Sequence, residues 1–360
     1  MIDKISLQNE WITDVALRMN CPDRNLIEKV IRALSLLEML VESGCPMTFK
    51  GGTAVMLMLK DGTHRLSIDI DIICPPGTDV GKHLGDFADF GFTDIEQVER
   101  VGRGSDVPKG HAKFFYQIAY KNNSSEKSYI LLDVLYEALH YEQLNTVDID
   151  SPFVCQTGKP TQVRVPSFED ILGDKLTAFA PNTTGIPYYK GDKCCSMEII
   201  KQLYDIGRLF DNVADVTNTA RSFGKISEIE LGYRKMNGNA DDVIKDIIDT
   251  SLCLSTRGKD GVGDMALLQD GILRMKPFVF NSRYNIENAI VDASKAAYLA
   301  LGIGTGHFNI ENFHVKQPDL SELSLPRCLT TRLNKLKVGN PEAFYYWCKA
   351  GELMDEWLNR

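Results

Sequence analysis

The sequence has no long hydrophobic run. Across its 360 residues, no stretch of 18 apolar residues occurs without a charge, and a transmembrane helix needs about that length. The first residues, MIDKISLQNEWITDV, lack the basic segment and apolar run that are typical of a signal peptide. These absences predict a cytoplasmic protein that does not bind a membrane.

Paired metal-binding cysteines and an excess of basic residues are missing as well. The nine cysteines form no CxxC pair and no Cys/His ligand spacing, so reduced thiols are expected rather than disulfides or structural zinc. The net charge is −9 at pH 7. This charge argues against non-specific coating of nucleic acid, which requires a broad basic surface, but it permits a local basic groove.

The pattern of the chain changes near Pro166. Before this residue, predicted strands are mixed with predicted helices, which favours an α/β domain with a mixed sheet over residues 1–166. After it, apolar residues recur at helical spacing, which predicts a helical domain over residues 167–360. The main predicted strands are MTF (47–49), IDIDIIC (68–74), AKFFYQIAY (112–120) and SYILLDVLY (128–136).

Two aspartates stand in the strand-like run IDIDIIC, where apolar residues are usual. Alternate side chains of a strand share a face, so Asp69 and Asp71 are expected together while the neighbouring isoleucines enter the core. Two adjacent carboxylates repel each other unless a cation lies between them, and Mg²⁺ prefers such oxygen ligands. Asp133, in the apolar run YILLDVLY, is the candidate third ligand. The alternative is that the pair lies on a solvated face of an edge strand.

Gly51, Gly52 and Thr53 follow a predicted strand and open a predicted helix. Backbone N–H groups at the start of a helix are suited to bind phosphate. The pattern GxxxxGK[ST] is absent, so this turn is not a P-loop. The alternative is an ordinary turn that uses glycine for its backbone freedom.

Taken in order, these features resemble the nucleotidyltransferase superfamily of the DNA polymerase β type. They are most similar to the AbiEii/AbiGii family, the nucleotidyltransferase toxins of abortive-infection and type IV toxin–antitoxin systems. The resemblance implies an Mg²⁺-dependent enzyme that moves NMP from an NTP to an acceptor. The segments that carry it are KGGTAVMLML (50–59), RLSIDIDI (65–72), the strand around Asp133, FEDILGDKLTAFA (168–180) and KQLYDIGRLF (201–210).

The resemblance also implies a role for each matching residue. The implied nucleotide-binding residues are Gly51, Gly52, Thr53, Arg65 and Lys175. The implied ligands of two Mg²⁺ ions are Asp69, Asp71 and Asp133, and the helical domain adds Lys175 and Asp205 to the catalytic set. Lysine suits a triphosphate because charge builds on the phosphate oxygens during transfer.

Local alternatives stand beside three of these roles. Lys175 fits a solvent-facing helix position, and Asp205 fits a surface ion pair with basic residues of its own helix. Arg65 either orients the glycine turn or the aspartates, or caps a turn. The sequence departs from the family at Gln202, where an aspartate is frequent, and this departure puts the activity in doubt.

The acceptor implied by the resemblance is RNA, with tRNA ends first, and a cognate antitoxin is an implied partner. Two stretches favour RNA: VGRGSDVPKGHAK (101–113) is basic, and TTGIPYYKGDK (183–193) sets two tyrosines beside lysines. Aromatic rings and lysines suit base stacking and phosphate contact. The alternative for both is a solvated loop. His111, His307 and His314 show no metal spacing and are assigned no role.

Two other functions compete with transfer to RNA. An Asp-x-Asp pair also holds the metal of glycosyltransferases, although about 70 residues precede it here and those enzymes place a longer sheet first. The second competitor is a module that binds a nucleotide or a partner without catalysis, and Gln202 keeps that alternative open.

Overall fold

The computed structural model describes residues 1–98, 109–119 and 127–360 and divides the chain into two compact units. Unit 1 comprises Met1–Ser167 and Pro277–Arg283, and unit 2 comprises Phe168–Lys276 and Tyr284–Arg360. The predicted mixed α/β sheet and C-terminal helices are confirmed. No helix of the described ranges is long and apolar enough to cross a membrane.

Unit 1 combines strands and helices. Its helices are α1 (Asn9–Arg18), α2 (Arg24–Glu42) and α3 (Gly51–Leu59). Its strands are β1 (Thr48–Lys50), β2 (Ile70–Cys74), β3 (Asp94–Val98), β4 (Lys109–Gln117), β5 (Lys127–Tyr136), β6 (Leu144–Asp148) and β7 (Gln162–Pro166).

A five-stranded sheet in the order β1-β2-β5-β4-β3 forms the centre of unit 1. β2 and β5 are parallel, and the other neighbouring pairs are antiparallel. On β5, Ile130, Leu132 and Val134 are buried, whereas the residues between them are half-buried. This alternation sets one apolar face into the core and leaves the other face to carry polar side chains.

The segment Pro277–Arg283 completes unit 1 from far along the chain. The amide of Leu66 donates to the carbonyl of Phe278 at 2.7 Å, and the amide of Phe280 donates to the carbonyl of His64 at 2.8 Å. The ring of Phe280 is buried and meets that of Phe153 edge to face, with centroids 5.5 Å apart. This segment therefore braces the chain that leads into β2.

Unit 2 is mostly helical. Two of its helices begin with complete capping boxes, at Asn239 and Asn285, which satisfy the first free backbone amides. Its elements are α4 (Phe168–Ala178), β8 (Tyr189–Lys190), β9 (Lys193–Cys194), α5 (Ser196–Phe210), α6 (Thr217–Tyr233), α7 (Ala240–Ser255), α8 (Met265–Met275), α9 (Ile286–Thr305), α10 (Phe313–Lys316), α11 (Leu336–Gly339) and α12 (Pro341–Leu358).

Candidate active site

A row of polar residues crosses the sheet of unit 1. Lys50 on β1 is opposite Asp71 on β2, Asp71 is opposite Asp133 on β5, and Asp133 is opposite His111 on β4. Residues opposite each other on neighbouring strands point to the same face. The structure thus brings together two of the predicted aspartates, although 62 positions of the chain separate Asp71 from Asp133.

Asp69 lies immediately before β2 rather than inside it, since the strand begins at Ile70. The sequence predicts one strand that holds both aspartates, and only Asp71 lies in it. The backbone of Asp69 is instead tied to α3, because the Thr53 hydroxyl donates to the Asp69 carbonyl at 2.7 Å. Thr53 therefore links the start of the helix to the start of the aspartate strand.

The glycine pair permits two close approaches that a side chain would block. A Cβ on Gly51 would lie 2.0 Å from Oδ2 of Asp71, and the φ of Gly51 is +79°. A Cβ on Gly52 would lie 2.5 Å from Nη2 of Arg65. Gly51 is favoured on two counts, its left-handed backbone and the neighbouring carboxylate, whereas the neighbour of Gly52 is the end of the Arg65 side chain.

Arg65 is buried at the base of this turn. Its Nη1 donates to the carbonyl of Leu66 at 3.2 Å, and its backbone forms a bridge with Val279. Its position against Gly52 fits orientation of the glycine turn, and its bond to the neighbouring Leu66 carbonyl fits the alternative, in which Arg65 caps a turn.

His111 belongs to the polar row, although the sequence analysis assigns it no role. Its Nδ1 contacts Oδ1 of Asp133. The side chains are 20% and 35% exposed, respectively. The sequence around His111 gives little signal, because β4 begins with a mixed polar stretch and the partner, 22 positions away, is revealed only by the strand register.

The row suits a hard cation by its donor chemistry. Parallel neighbours lie about 4.8 Å apart, so Asp71 and Asp133 can offer carboxylate oxygens to one ion, and oxygen is the donor that Mg²⁺ selects. The missing Cβ of Gly51 leaves the room that the Asp71 carboxylate takes. Within the described ranges, no group of three or more His, Cys, Asp or Glu side chains is already arranged as a metal cluster.

Lys175 and Asp205 meet inside unit 2. Nζ of Lys175, on α4, lies 2.9 Å from Oδ2 of Asp205, on α5, and both side chains are buried. Nζ also donates to Oε1 of Gln202 at 2.9 Å. Lys175 is therefore not on a solvent-facing surface, and Gln202 accepts a hydrogen bond at the position where the family often has an aspartate.

The loop at residues 183–193 shows different environments for its two tyrosines. Tyr188 is held in place, because its hydroxyl accepts a hydrogen bond from the amide of Asp264 at 3.2 Å. Its side chain is half-buried, and this burial raises the pKa of Tyr188 to about 12. Tyr189, on β8, is 53% exposed and lies beside the exposed Lys190. The ring available for stacking is thus Tyr189. Of the other predicted RNA stretch, residues 101–108 lie outside the described residues.

Asp246 anchors the start of this loop. Its carboxylate accepts from the amide of Asn182 at 2.8 Å, from the side chain of Asn182 at 2.7 Å and from the hydroxyl of Thr183 at 2.9 Å. Burial raises the pKa of Asp246, and these hydrogen bonds oppose the rise. The loop therefore leaves a fixed base before it reaches Tyr189.

Two cavities of unit 1 lie close to the polar row, and one of them shares His111 with it. One, of about 430 Å³, includes His111 in its wall, together with Tyr136 and Gln97. The other, of about 420 Å³, lies past the C-terminal end of α3 and is walled by Phe153 and Phe280. Asp71 is not among the residues that line either cavity.

Comparison with known proteins supplies the context for this row. The model of the family described as nucleotidyl transferase AbiEii toxin, type IV TA system, matches residues 33–256. No curated protein matches the chain. Two solved structures from Helicobacter pylori are similar to it: JHP933, and a protein described as a candidate nucleotidyltransferase. Their sequences are 18% and 19% identical to this chain, respectively. Each alignment covers 76% of this chain, and it covers 89% of the first protein and 92% of the second. The TM-score is 0.40 for both.

Proposed function

Because the chain belongs to the AbiEii nucleotidyl transferase toxin family, and is therefore a nucleotidyltransferase, we propose that it moves NMP from an NTP to an RNA hydroxyl, with Mg²⁺ as cofactor. The register of Asp71 against Asp133, with Gly51 shaped to the Asp71 carboxylate, is the observation that carries this proposal. Family membership decides against the glycosyltransferase alternative.

Six residues of unit 1 have a defined task in the proposed reaction. The backbone of Gly51, Gly52 and Thr53 binds the phosphates at the start of α3. Asp69, Asp71 and Asp133 would hold Mg²⁺. The bound ion supplies positive charge for the α-phosphate and for the departing pyrophosphate.

The transfer itself is a substitution at phosphorus. The acceptor oxygen forms a bond to the α-phosphorus, the bond to the bridging oxygen breaks, and pyrophosphate leaves with that electron pair. The proton of the hydroxyl passes to the carboxylate of Asp133, which lies on the polar row. Asp133 is thus proposed as the general base.

Unit 2 contributes two proposed elements. Lys175, held by Asp205 and Gln202, is proposed to contact the triphosphate, a role that rests on the family resemblance. The exposed Tyr189 and Lys190 are proposed to contact the RNA acceptor, a tRNA end, by stacking and charge. In a cell, the proposed role is that of a toxin controlled by a cognate antitoxin.

Labelled nucleotides test the transfer and identify the acceptor. The purified protein is incubated with Mg²⁺, each α-³²P-NTP and total cellular RNA, beside Asp71→Asn and Asp133→Asn. Asp94→Asn is the matched control, because Asp94 is an exposed aspartate of the same sheet. We expect label in a tRNA-sized band that both row variants lose and the control retains.

Other outcomes would overturn parts of the proposal. Label on a protein band would replace the RNA acceptor while keeping the chemistry. Label that persists in Asp71→Asn would remove the row from the mechanism. NTP binding without label in any product would favour the module that binds without catalysis.

A further inference from the structure

In the hydrogen bond between His111 and Asp133, the donor and the acceptor can be assigned. An ionised carboxylate accepts hydrogen bonds and cannot donate, so Nδ1 of His111 is the nitrogen that carries hydrogen and donates to Oδ1 of Asp133. This bond restrains the rotation of the carboxylate. It leaves Oδ2 of Asp133 and the second lone pair of Oδ1 available, one for a ligand and the other for a proton.

Stability alone does not account for this pair. Both side chains keep part of their surface in water, and water screening reduces what such a half-buried pair contributes to folding. The position of the pair is more informative, since His111 is the next residue of the row after Asp133 and Asp71.

A carboxylate that binds a metal or moves a proton works only if its orientation is fixed. Ligating carboxylates are themselves hydrogen-bonded by neighbouring groups, and these neighbours tune the metal. Catalytic groups must be held within about 0.5 Å of the productive geometry. On the row, His111 is a side chain that contacts Asp133 directly and comes from a different strand, so it can hold that orientation.

We propose that His111 is a positioning residue that fixes the Asp133 carboxylate through its Nδ1. The inference rests on the proposed function, in which Asp133 binds Mg²⁺ and takes the proton of the acceptor. His111 itself touches neither the nucleotide nor the acceptor in this role, and it acts only through Asp133.

Two amide substitutions distinguish the ring nitrogens. The amide nitrogen of asparagine takes nearly the place of Nδ1, whereas that of glutamine takes nearly the place of Nε2. We expect His111→Ala and His111→Gln to lower kcat by roughly 10- to 100-fold, with the KM for NTP unchanged. His111→Asn should stay near the wild-type value. His83→Asn is the matched control, because His83 is a half-buried histidine of unit 1 whose Nδ1 contacts a carbonyl, that of Ser43, rather than a carboxylate.

A second readout does not depend on turnover. Binding of Mn²⁺ to the protein without NTP, followed by calorimetry, should weaken in His111→Ala and His111→Gln and be retained in His111→Asn. In an Asp133→Asn background, the His111 substitutions should have no further effect on Mn²⁺ binding.

The two proposals fail in different ways. If the wild type transfers no nucleotide, the proposed function fails, while the Mn²⁺ measurement still tests His111. If the wild type is active and His111→Ala is equally active, or if Asn and Gln behave alike, the positioning role is wrong.

Discussion

At the residue scale, Gly51 shows how one missing side chain shapes the row. Its backbone is left-handed, and the Oδ2 of Asp71 occupies the space in which a Cβ would stand. Gly44 shares the left-handed backbone, with φ +72°, but a Cβ there would meet nothing within 4 Å. The two glycines therefore share the left-handed backbone and differ in what a side chain would contact.

Alanine at these two positions separates backbone strain from displacement of Asp71. Gly44→Ala should lose about 1–2 kcal/mol of unfolding free energy, because a left-handed backbone is unfavourable for alanine. Gly51→Ala should lose at least as much, because its Cβ must also displace the Asp71 carboxylate. Only Gly51→Ala should also lower nucleotidyl transfer, by about 100-fold, since displacement of a reacting group by about 1 Å has that effect. Urea unfolding and the labelled-nucleotide assay measure the two quantities, and equal activities would show that the contact with Asp71 is unimportant.

The sequence identifies some residues of the row and not others. Asp71 and Asp133 are predictable because a charge in an apolar strand needs a reason. His111 is not, since β4 begins with a mixed polar stretch in which a histidine is unremarkable. Its partner is defined by the antiparallel register of β4 and β5, and the sequence of either strand alone does not encode that register.

At the scale of elements, the contact between α4 and α5 depends on a buried ion pair. The sequence predicts both helices from their periodicity, but it suggests exposed positions for Lys175 and Asp205. Periodicity shows which residues share a face, whereas the burial of a charged residue is decided by its partner on another helix. Here Lys175 and Asp205 neutralise each other, and that permits burial.

Removing the charge of Lys175, of Asp205 or of both tests whether the pair supports the fold or contacts the substrate. Lys175→Met or Asp205→Leu alone should lose about 3–5 kcal/mol of unfolding free energy, because each leaves a buried charge without its partner. The double variant should recover most of that loss. Lys190→Met, at an exposed lysine of β8, is the control and should change stability little.

The activity of the double variant then decides the role of Lys175. A stable double variant without nucleotidyl transfer supports contact with the triphosphate. Transfer that returns together with stability would assign the pair to the fold alone. A double variant as unstable as the sum of the single changes would contradict the stabilising pair itself.

At the scale of the whole molecule, unit 1 is built from two separate parts of the sequence. The change of pattern near Pro166 is visible in the sequence, and the first part of unit 1 ends at Ser167. The second part, Pro277–Arg283, is not predictable, because seven residues carry too short a pattern. Its conformation depends on His64, Leu66 and Phe153, which lie more than 120 positions earlier.

Phe280→Ala measures how much unit 1 depends on this distant segment. The change should lower its unfolding free energy by about 3–5 kcal/mol, the usual cost of a buried Phe→Ala change. The amide of Leu66, which donates to Phe278, should exchange its hydrogen faster. Leu273→Ala is the control, because Leu273 is 49% exposed. Unchanged protection of Leu66 in Phe280→Ala would mean that unit 1 holds together without the segment.

The position of this segment also sets the order of events at the ribosome. Pro277 is synthesised 110 residues after Ser167, a delay of about 5–20 s at common rates of synthesis. During that time His64 and Leu66, which lead into β2, have been synthesised, but the segment Pro277–Arg283 that pairs with them has not. The unit that carries the polar row is thus completed only after the residues between Ser167 and Pro277 have been made.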